Sequence, residues 1–274
     1  MTAVNSKVEK QSNTPVVVIT GGTQGLGLAL AQALLNAGFA VSLCARTGAD
    51  VEAARMLLTR KHRNSVVGEQ LGQSVDSDPA RLLAMPGDVA DRDFQRALIA
   101  KTAETFGRID AVVNNASTLG ILPMPSVTDS TTENEAQVFD VNVFAPLQLI
   151  RLALPHLATQ TQSLILGISS DAAVGGYPGW GVYGASKAAL DLFHKTLAAE
   201  LADQRILVHS VDPGDMDTAM HRAADPGAQG LTSPAAVAAA LLALFQPLKG
   251  ENKFLFTNGV RLQVTRDGLM EVTA

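Results

Sequence analysis

Pro15-Val16-Val17-Val18-Ile19-Thr20-Gly21-Gly22-Thr23-Gln24-Gly25-Leu26-Gly27 decides the fold. An apolar run of strand length breaks into a glycine-rich turn, and an Ala- and Leu-rich segment of helical character, Gly27–Ala37, follows it. Glycine allows a tight turn and lets a bound group approach the backbone. The free N–H groups and positive end of the following helix favour an anion there. An ordinary strand–helix turn also carries glycines, but the order strand, turn, helix is the context that a dinucleotide-binding turn requires. Gly21, Thr23, Gln24, Gly25, Leu26 and Gly27 are therefore read as the residues around a dinucleotide pyrophosphate.

Working outward, the same alternation continues. Apolar runs at Pro15–Thr20, Ala40–Ala45, Leu82–Pro86, Ala111–Asn114, Ser163–Ile168, Leu207–Val211 and Lys253–Thr257 are mostly continuous, as in strands covered on both faces. Between them lie helical segments, among them Gln95–Phe106, Glu135–Leu157, Tyr183–Ala202 and Pro234–Phe245. Strand–helix alternation with right-handed crossovers predicts an α/β, doubly wound Rossmann-type fold: a parallel sheet of about seven strands with helices on both faces. No repeat or linker divides the chain, so residues 1–14 read as a flexible tail and 15–274 as one domain. The stretch Thr47–Ala80 is long for a single connection. A helix over about Asp50–Lys61 and then an irregular loop are expected there. Its basic cluster Arg60-Lys61-His62-Arg63 reads as a solvated helix end, or as a contact to a cofactor phosphate.

Of the 274 residues, 47% are hydrophobic and only 4% aromatic, enough for one large core that must be aliphatic. The net charge of −5 and the lack of a long basic run argue against nucleic acid. The single Cys44 lies in an apolar run and reads as an inert core residue. No uninterrupted apolar stretch reaches eighteen residues, and residues 1–13 lack the apolar core of a secretory signal, so no membrane contact and a cytoplasmic location are expected. The histidines are scattered without an i, i+4 pair, and Asp212, Asp215 and Asp217 read as a solvated loop, so no metal is assigned. Gly167-Ile168-Ser169-Ser170-Asp171 lacks the G-x-S-x-G pattern of a hydrolase elbow.

Tyr183-Gly184-Ala185-Ser186-Lys187 carries the chemistry. Tyrosine and lysine four apart share one helix face. A phenol is a poor acid–base at neutral pH, and a cation beside it favours the phenolate. A hydroxyl upstream could share a substrate oxygen with the phenol. Both Ser169 and Ser170 are available, and the thirteen-residue spacing to Tyr183 favours Ser170. Alone, such a pair is common; its company gives it weight. The second strand ends at Arg46, with no acid at that position and Asp50 the nearest. An acid there bonds the ribose 2′-hydroxyl of NAD, whereas an arginine accommodates the 2′-phosphate of NADP. NADP(H) is therefore preferred to NAD(H), against the alternative of a solvent-facing arginine.

Taken together, the residues resemble the short-chain dehydrogenase/reductase family in its compact single-domain branch. Thr20-Gly21-x-x-x-Gly25-x-Gly27, Asp88-Val89, Asn114-Asn115-Ala116, Asn142 in Val141-Asn142-Val143, Ser170, Tyr183, Lys187 and Pro213-Gly214-Asp215-Met216-Asp217-Thr218 follow the family's motifs in the family's order. Gly179-Trp180-Gly181-Val182-Tyr183 is also similar to sepiapterin reductases over a short stretch. The resemblance implies a carbonyl reductase or alcohol dehydrogenase. Tyr183 would be the general acid/base, and Ser170 would position the substrate oxygen. Lys187 would lower the Tyr183 pKa and bond the nicotinamide ribose, and Asn142 would hold a water linking Lys187 to solvent. It also implies that Asp88 and Val89 meet the adenine and that Asn115 and Ala116 lie beside the cofactor. Pro213, Gly214, Met216 and Thr218 would stand at the nicotinamide. Ser117 replaces a frequent family glycine, a change that removes no chemical group.

Walls for a small carbonyl or alcohol substrate are expected from Leu119, Leu122, Tyr177, Trp180, Met216 and Met220, with Ala219–Ser233 as a lid. A homodimer or homotetramer is implied, with Glu135–Leu157 and Tyr183–Ala202 at one interface. Two rivals remain at this stage: an NADP(H)-binding redox sensor without turnover, and a nucleotide-sugar epimerase, for which the chain is short.

Overall fold

In the computed structural model, which describes residues 13–60, 78–250 and 253–272, the first apolar run forms β1 (Val16–Thr20) and the glycine turn opens α1 (Gly25–Asn36). The chain then alternates through β2 (Ala40–Ala45), α2 (Gly48–Thr59), β3 (Leu82–Pro86), α3 (Arg92–Phe106) and β4 (Ala111–Asn114). Next come α4 (Thr132–Phe139), α5 (Ala145–Leu157), β5 (Ser163–Ile168), α6 (Gly181–Glu200) and β6 (Ile206–Asp212). The short α7 (Ala219–Ala224), α8 (Pro234–Leu241), β7 (Arg261–Thr265) and β8 (Gly268–Val272) complete it.

The strand order is β3-β2-β1-β4-β5-β6-β7-β8. Neighbours from β3 to β7 pair parallel, and β8 returns antiparallel on β7. The order reverses between β1 and β4, the switch point beside which open α/β sheets bind ligands. Register brings Thr20 beside Cys44, Asn114 beside Gly167 and Ile168 beside Val211, so the strands' carboxyl ends form one rim.

Side chains alternate between two cores. Val17, Ile19, Val113 and Leu166 pack toward α1 and α8, whereas Val18, Val112, Ile165 and Val208 pack toward α3, α5 and α6. This two-sided burial is why the strands read as continuous apolar runs. The span Thr132–Leu157 is long and apolar enough to cross a membrane by composition, but its contacts with α3, α6 and β5 make it a layer of the core.

The C-terminal part departs from expectation. Lys253–Thr257 forms no strand; Phe254 and Phe256 instead pack their side chains on the α1/α8 core. The chain turns at Asn258-Gly259, where Asn258 Oδ1 accepts from Val208 N (2.7 Å) and Gly259 takes φ +85°. The seventh strand therefore starts at Arg261, and an eighth follows through the Arg266-Asp267-Gly268 turn. The expected single helix Glu135–Leu157 begins earlier and carries a π-helical turn, Asp140–Phe144, between α4 and α5. The helix expected over Asp50–Lys61 is α2, two residues earlier. Lys61, His62 and Arg63, the loop after them and most of the 1–14 tail lie outside the described residues.

Candidate active site

The glycine turn is built for close approach. Gly21 and Gly25 take φ +65° and +51°, and a Cβ on Gly27 would stand 2.2 Å from Gly21 O and 2.6 Å from Asn115 Nδ2. Asn115 closes this contact: its Nδ2 donates to Thr20 O (2.8 Å) and Gly21 O (3.0 Å), while its N–H donates to Thr20 Oγ1 (3.1 Å). Gln24 precedes α1 without a side-chain cap, and the first turn holds no acid. Its leading N–H groups thus have no capping side chain and no acid of α1 beside them, which favours an anion at this end of the helix. A phosphate-bearing cofactor fits this cradle.

A cavity of about 610 Å³ runs from this turn along the carboxyl ends of the strands. Gly21, Thr23, Gln24, Gly25 and Leu26 line it, and Gly27 lies behind as the packing contact just described. At one end stand Arg46, Asp50, Asp88 and Val89. Arg46 is exposed there, so its guanidinium is free to meet a charged group. Asp88 Oδ1 accepts from Ala90 N (2.9 Å) and fixes the local turn. Ala116, Asn115, Pro213, Gly214, Met216 and Thr218 line the middle. Thr218 caps α7 through His221 N (3.1 Å), and its methyl lies 3.2 Å from where a Cβ on Gly25 would sit.

At the far end, Ser170, Tyr183 and Lys187 come together. Gly184 makes this possible: a Cβ there would stand 2.4 Å from Ala172 O, so α6 reaches the Ser170 loop only without a side chain. Ser170 Oγ donates to Asp171 Oδ1 (3.0 Å) and accepts from Ala172 N (3.2 Å). Ser169 Oγ donates instead to Asp191 Oδ2 (2.8 Å), which separates the two serines. Lys187 is 2% exposed, and its ammonium donates to Ile168 O (2.8 Å), 5.5 Å from the Tyr183 ring centre.

The electrostatics correct one expectation. Burial pushes the Tyr183 phenol up to about 12; hydrogen bonds with the Ser117 and Ser170 side chains lower it, and Asp171 and Asp212 raise it further. Burial likewise pushes Lys187 down to about 8, with Asp191 acting to raise it. The lysine therefore does not bring the phenol toward neutrality. Desolvation disfavours both charged forms, so the Tyr183 phenol is neutral at pH 7.

Asn142 sits in the π turn, buried. Its Oδ1 accepts from Thr118 N (2.8 Å) and Ser117 Oγ (3.1 Å), and its Nδ2 donates to Thr118 O (2.9 Å) and Ser186 Oγ (3.0 Å). With all four positions taken, the side chain braces the loop under Tyr183. The expected water would need other atoms to hold it. Ser117, read as removing no group, adds one that reaches both Tyr183 and Asn142.

Four of the expected wall residues reach the cavity. Leu119, Trp180, Met216 and Met220 line the cavity, with Trp180 edge-on to Tyr183 at 5.7 Å. Leu122 and Tyr177 do not line it; both are exposed, and the Tyr177 hydroxyl bonds to Asp171, which raises its pKa. The chain enclosing α7 is pinned at its base, where Asp217 N donates to Thr232 O and Thr232 N to Asp215 O (both 2.9 Å). Two residues that sequence reasoning passed over, Asp191 and Arg261, stand beneath the serine loop. Arg261 Nη2 donates to Ser170 O (2.8 Å). The i, i+4 spacing of Asp191 from Lys187 was the available signal for the first; nothing local marks the second.

Comparison with known proteins agrees with this geometry. Residues 15–229 match the short chain dehydrogenase family model. The uncharacterized oxidoreductase YhdF of Bacillus subtilis is 31% identical over 77% of this chain and 66% of its own length. Benzil reductase ((S)-benzoin forming) IRC24 of Saccharomyces cerevisiae is 31% identical over 80% of this chain and 79% of its own. A short chain dehydrogenase from Burkholderia cenocepacia solved with NADP is 28% identical, with TM-score 0.72 over 92% of this chain and 96% of that one. A 3-ketoacyl-(acyl-carrier-protein) reductase from Brucella melitensis solved with NADH, 23% identical, shares the fold at TM-score 0.76 over 92% and 98%. The glycine cradle, the gathered Ser170, Tyr183 and Lys187, and these matches lead to one conclusion: the chain belongs to the short-chain dehydrogenase family of oxidoreductases.

Proposed function

We propose that this protein transfers hydride between NADP(H) and a small apolar carbonyl or alcohol, with Tyr183 as general acid/base. The observation that carries the reading is a single cavity with an uncapped glycine turn at one end and Ser170, Tyr183 and Lys187 at the other. The dinucleotide, when bound, supplies or accepts hydride at nicotinamide C4. The chain's own groups do the rest. The α1 N-terminus and the glycine backbone hold the pyrophosphate. Tyr183, neutral at pH 7, gives its proton to the developing alkoxide in reduction and accepts one in oxidation. Ser170 orients the substrate oxygen, and Lys187 faces the nicotinamide ribose while its charge offsets a nascent phenolate. Asn142 holds the 117–118 loop in place.

Exposed Arg46 at the ribose end favours the 2′-phosphate of NADP(H), although Asp50 also lines that end. Apolar walls from Leu119, Trp180 and Met220 suit aryl or alkyl ketones better than charged substrates; the relative named as a benzil reductase points the same way. Exposed Phe144, Leu192 and Phe193, at the end of the π turn before α5 and on α6, support a homodimer or homotetramer through these helices. A panel of ketones, quinones, pterins and steroids, followed by NADPH absorbance, tests the function. Consumption with at least one carbonyl is expected. NADPH binding without turnover across the panel would instead favour a redox sensor.

A further inference from the structure

We propose that Arg261 is a positioning residue: its guanidinium ties the Ser170 loop to the Asp212–Thr218 loop and to the helix that carries Lys187, and so sets where Ser170 stands against Tyr183. The inference rests on the reading above, in which Ser170 and Tyr183 handle the substrate oxygen.

Arg261 is the first residue of β7, in register with Ser210, and its side chain is 10% exposed. Nη2 donates to Ser170 O (2.8 Å) and to Asp212 Oδ2 (3.3 Å), and Nε donates to Asp191 Oδ2 (3.1 Å). Each acceptor leads into the site. Asp191 Oδ2 also accepts from Ser169 Oγ (2.8 Å), and Asp212 Oδ1 accepts from Gly214 N (3.0 Å) in the loop that lines the cavity. One side chain from the C-terminal strand thus fixes the end of β5, the end of β6 and the middle of α6. Three acceptors in three directions suit the planar fork of a guanidinium; an ammonium on a flexible stem does not reproduce them.

Charge balance supports the same role. The Asp191 and Asp212 side chains are only 16% and 3% exposed, so each needs a nearby cation. Lys187 lies one turn before Asp191 but gives its ammonium to Ile168 O. Asp191 Oδ1 is buried without a hydrogen-bond partner among the described residues. While Arg261 holds Oδ2, the carboxylate stays under the serine loop and the lysine is left to the active site. Removing the guanidinium frees the Ser170 carbonyl and exposes Lys187 to an unpaired acid.

The test compares Arg261→Lys, Ser170→Ala and their double variant with wild type. It uses NADPH affinity by fluorescence, melting temperature, kcat with the carbonyl that the panel identifies, and a crystal structure of Arg261→Lys. Arg261→Lys should bind NADPH within about threefold of wild type and lose about tenfold or more in kcat. In the Ser170→Ala background the same change should cost less than about twofold, because positioning a missing hydroxyl has no value. In the crystal, the Ser170 hydroxyl should move from Tyr183 by about 1 Å. An unmoved serine, or equal losses in kcat with and without the Ser170 hydroxyl, overturns the inference and leaves the catalytic reading standing. Wild-type turnover in Ser170→Ala alone overturns both. Should Arg261→Lys fail to fold, the charge-matched pair Arg261→Gln/Asp191→Asn carries the same readouts.

Discussion

Replacing Lys187 with methionine should stabilise the protein while abolishing its turnover. In the folded chain the lysine pKa falls from 10.5 to about 8 because burial penalises the ammonium. At about 1.4 kcal/mol per unit, that is about 3 kcal/mol of folding stability given up at neutral pH. Methionine also forfeits the hydrogen bond to Ile168 O, worth about 1 kcal/mol, leaving a net gain of about 2 kcal/mol. For a chain of this size the gain is roughly 4–8 °C in Tm. The sign with pH is fixed. Below about pH 8 both folded and unfolded chains carry the proton, so the penalty is constant. Between about 8 and 10.5 the folded chain loses it first, so wild-type stability climbs with pH relative to the variant. Above 10.5 the lysine no longer penalises folding. Urea unfolding of both proteins at pH 7 and pH 10.5 measures the gap. A variant less stable than wild type at pH 7, or a gap that does not narrow at high pH, would refute the reasoning.

Gly27→Ala would push a Cβ to 2.2 Å from Gly21 O; fluorescence titration should show NADPH affinity down about ten- to a hundredfold, the equivalent of about 1–3 kcal/mol of overpacking. Arg46→Ala should raise KM for NADPH about tenfold or more and leave KM for NADH nearly unchanged, since a lost phosphate partner affects only the former. Burial lowers His194 to about 4 and also lowers His209. The unfolded chain then takes up protons first below pH 6.5, so stability falls as pH drops toward 4, by about 1.4 kcal/mol per pH unit for His194, and His209 acts in the same direction. Denaturation curves across that range should flatten by about one proton's slope in His194→Asn.

Much of the fold was legible because buried parallel strands leave continuous apolar runs: Ala40–Ala45, Leu82–Pro86, Ala111–Asn114 and Ser163–Ile168 are strands with those very limits. The glycine turn was legible because close backbone approach leaves no room for a side chain. The C-terminus misled because Phe254 and Phe256 are apolar for side-chain packing, not for a ladder. The Asp267-Gly268 signal of the β7–β8 hairpin went unused. That Tyr183 and Lys187 would line one cavity could be read from their spacing along α6, but their electrostatics could not. The pKa values of Tyr183 and Lys187 depend on burial by segments from across the chain. The Arg261 contacts join residues 49 to 91 positions apart, beyond any local pattern.

The central claim is that the Tyr183 hydroxyl moves the proton. Tyr183→Phe removes that one oxygen and keeps the ring against Trp180. NADPH titration and steady-state reduction of the best panel substrate at pH 7 test it most directly. The account predicts NADPH affinity within about twofold of wild type and kcat lower by about a hundredfold or more, the usual share of a general acid. Undiminished kcat in the phenylalanine variant would contradict it.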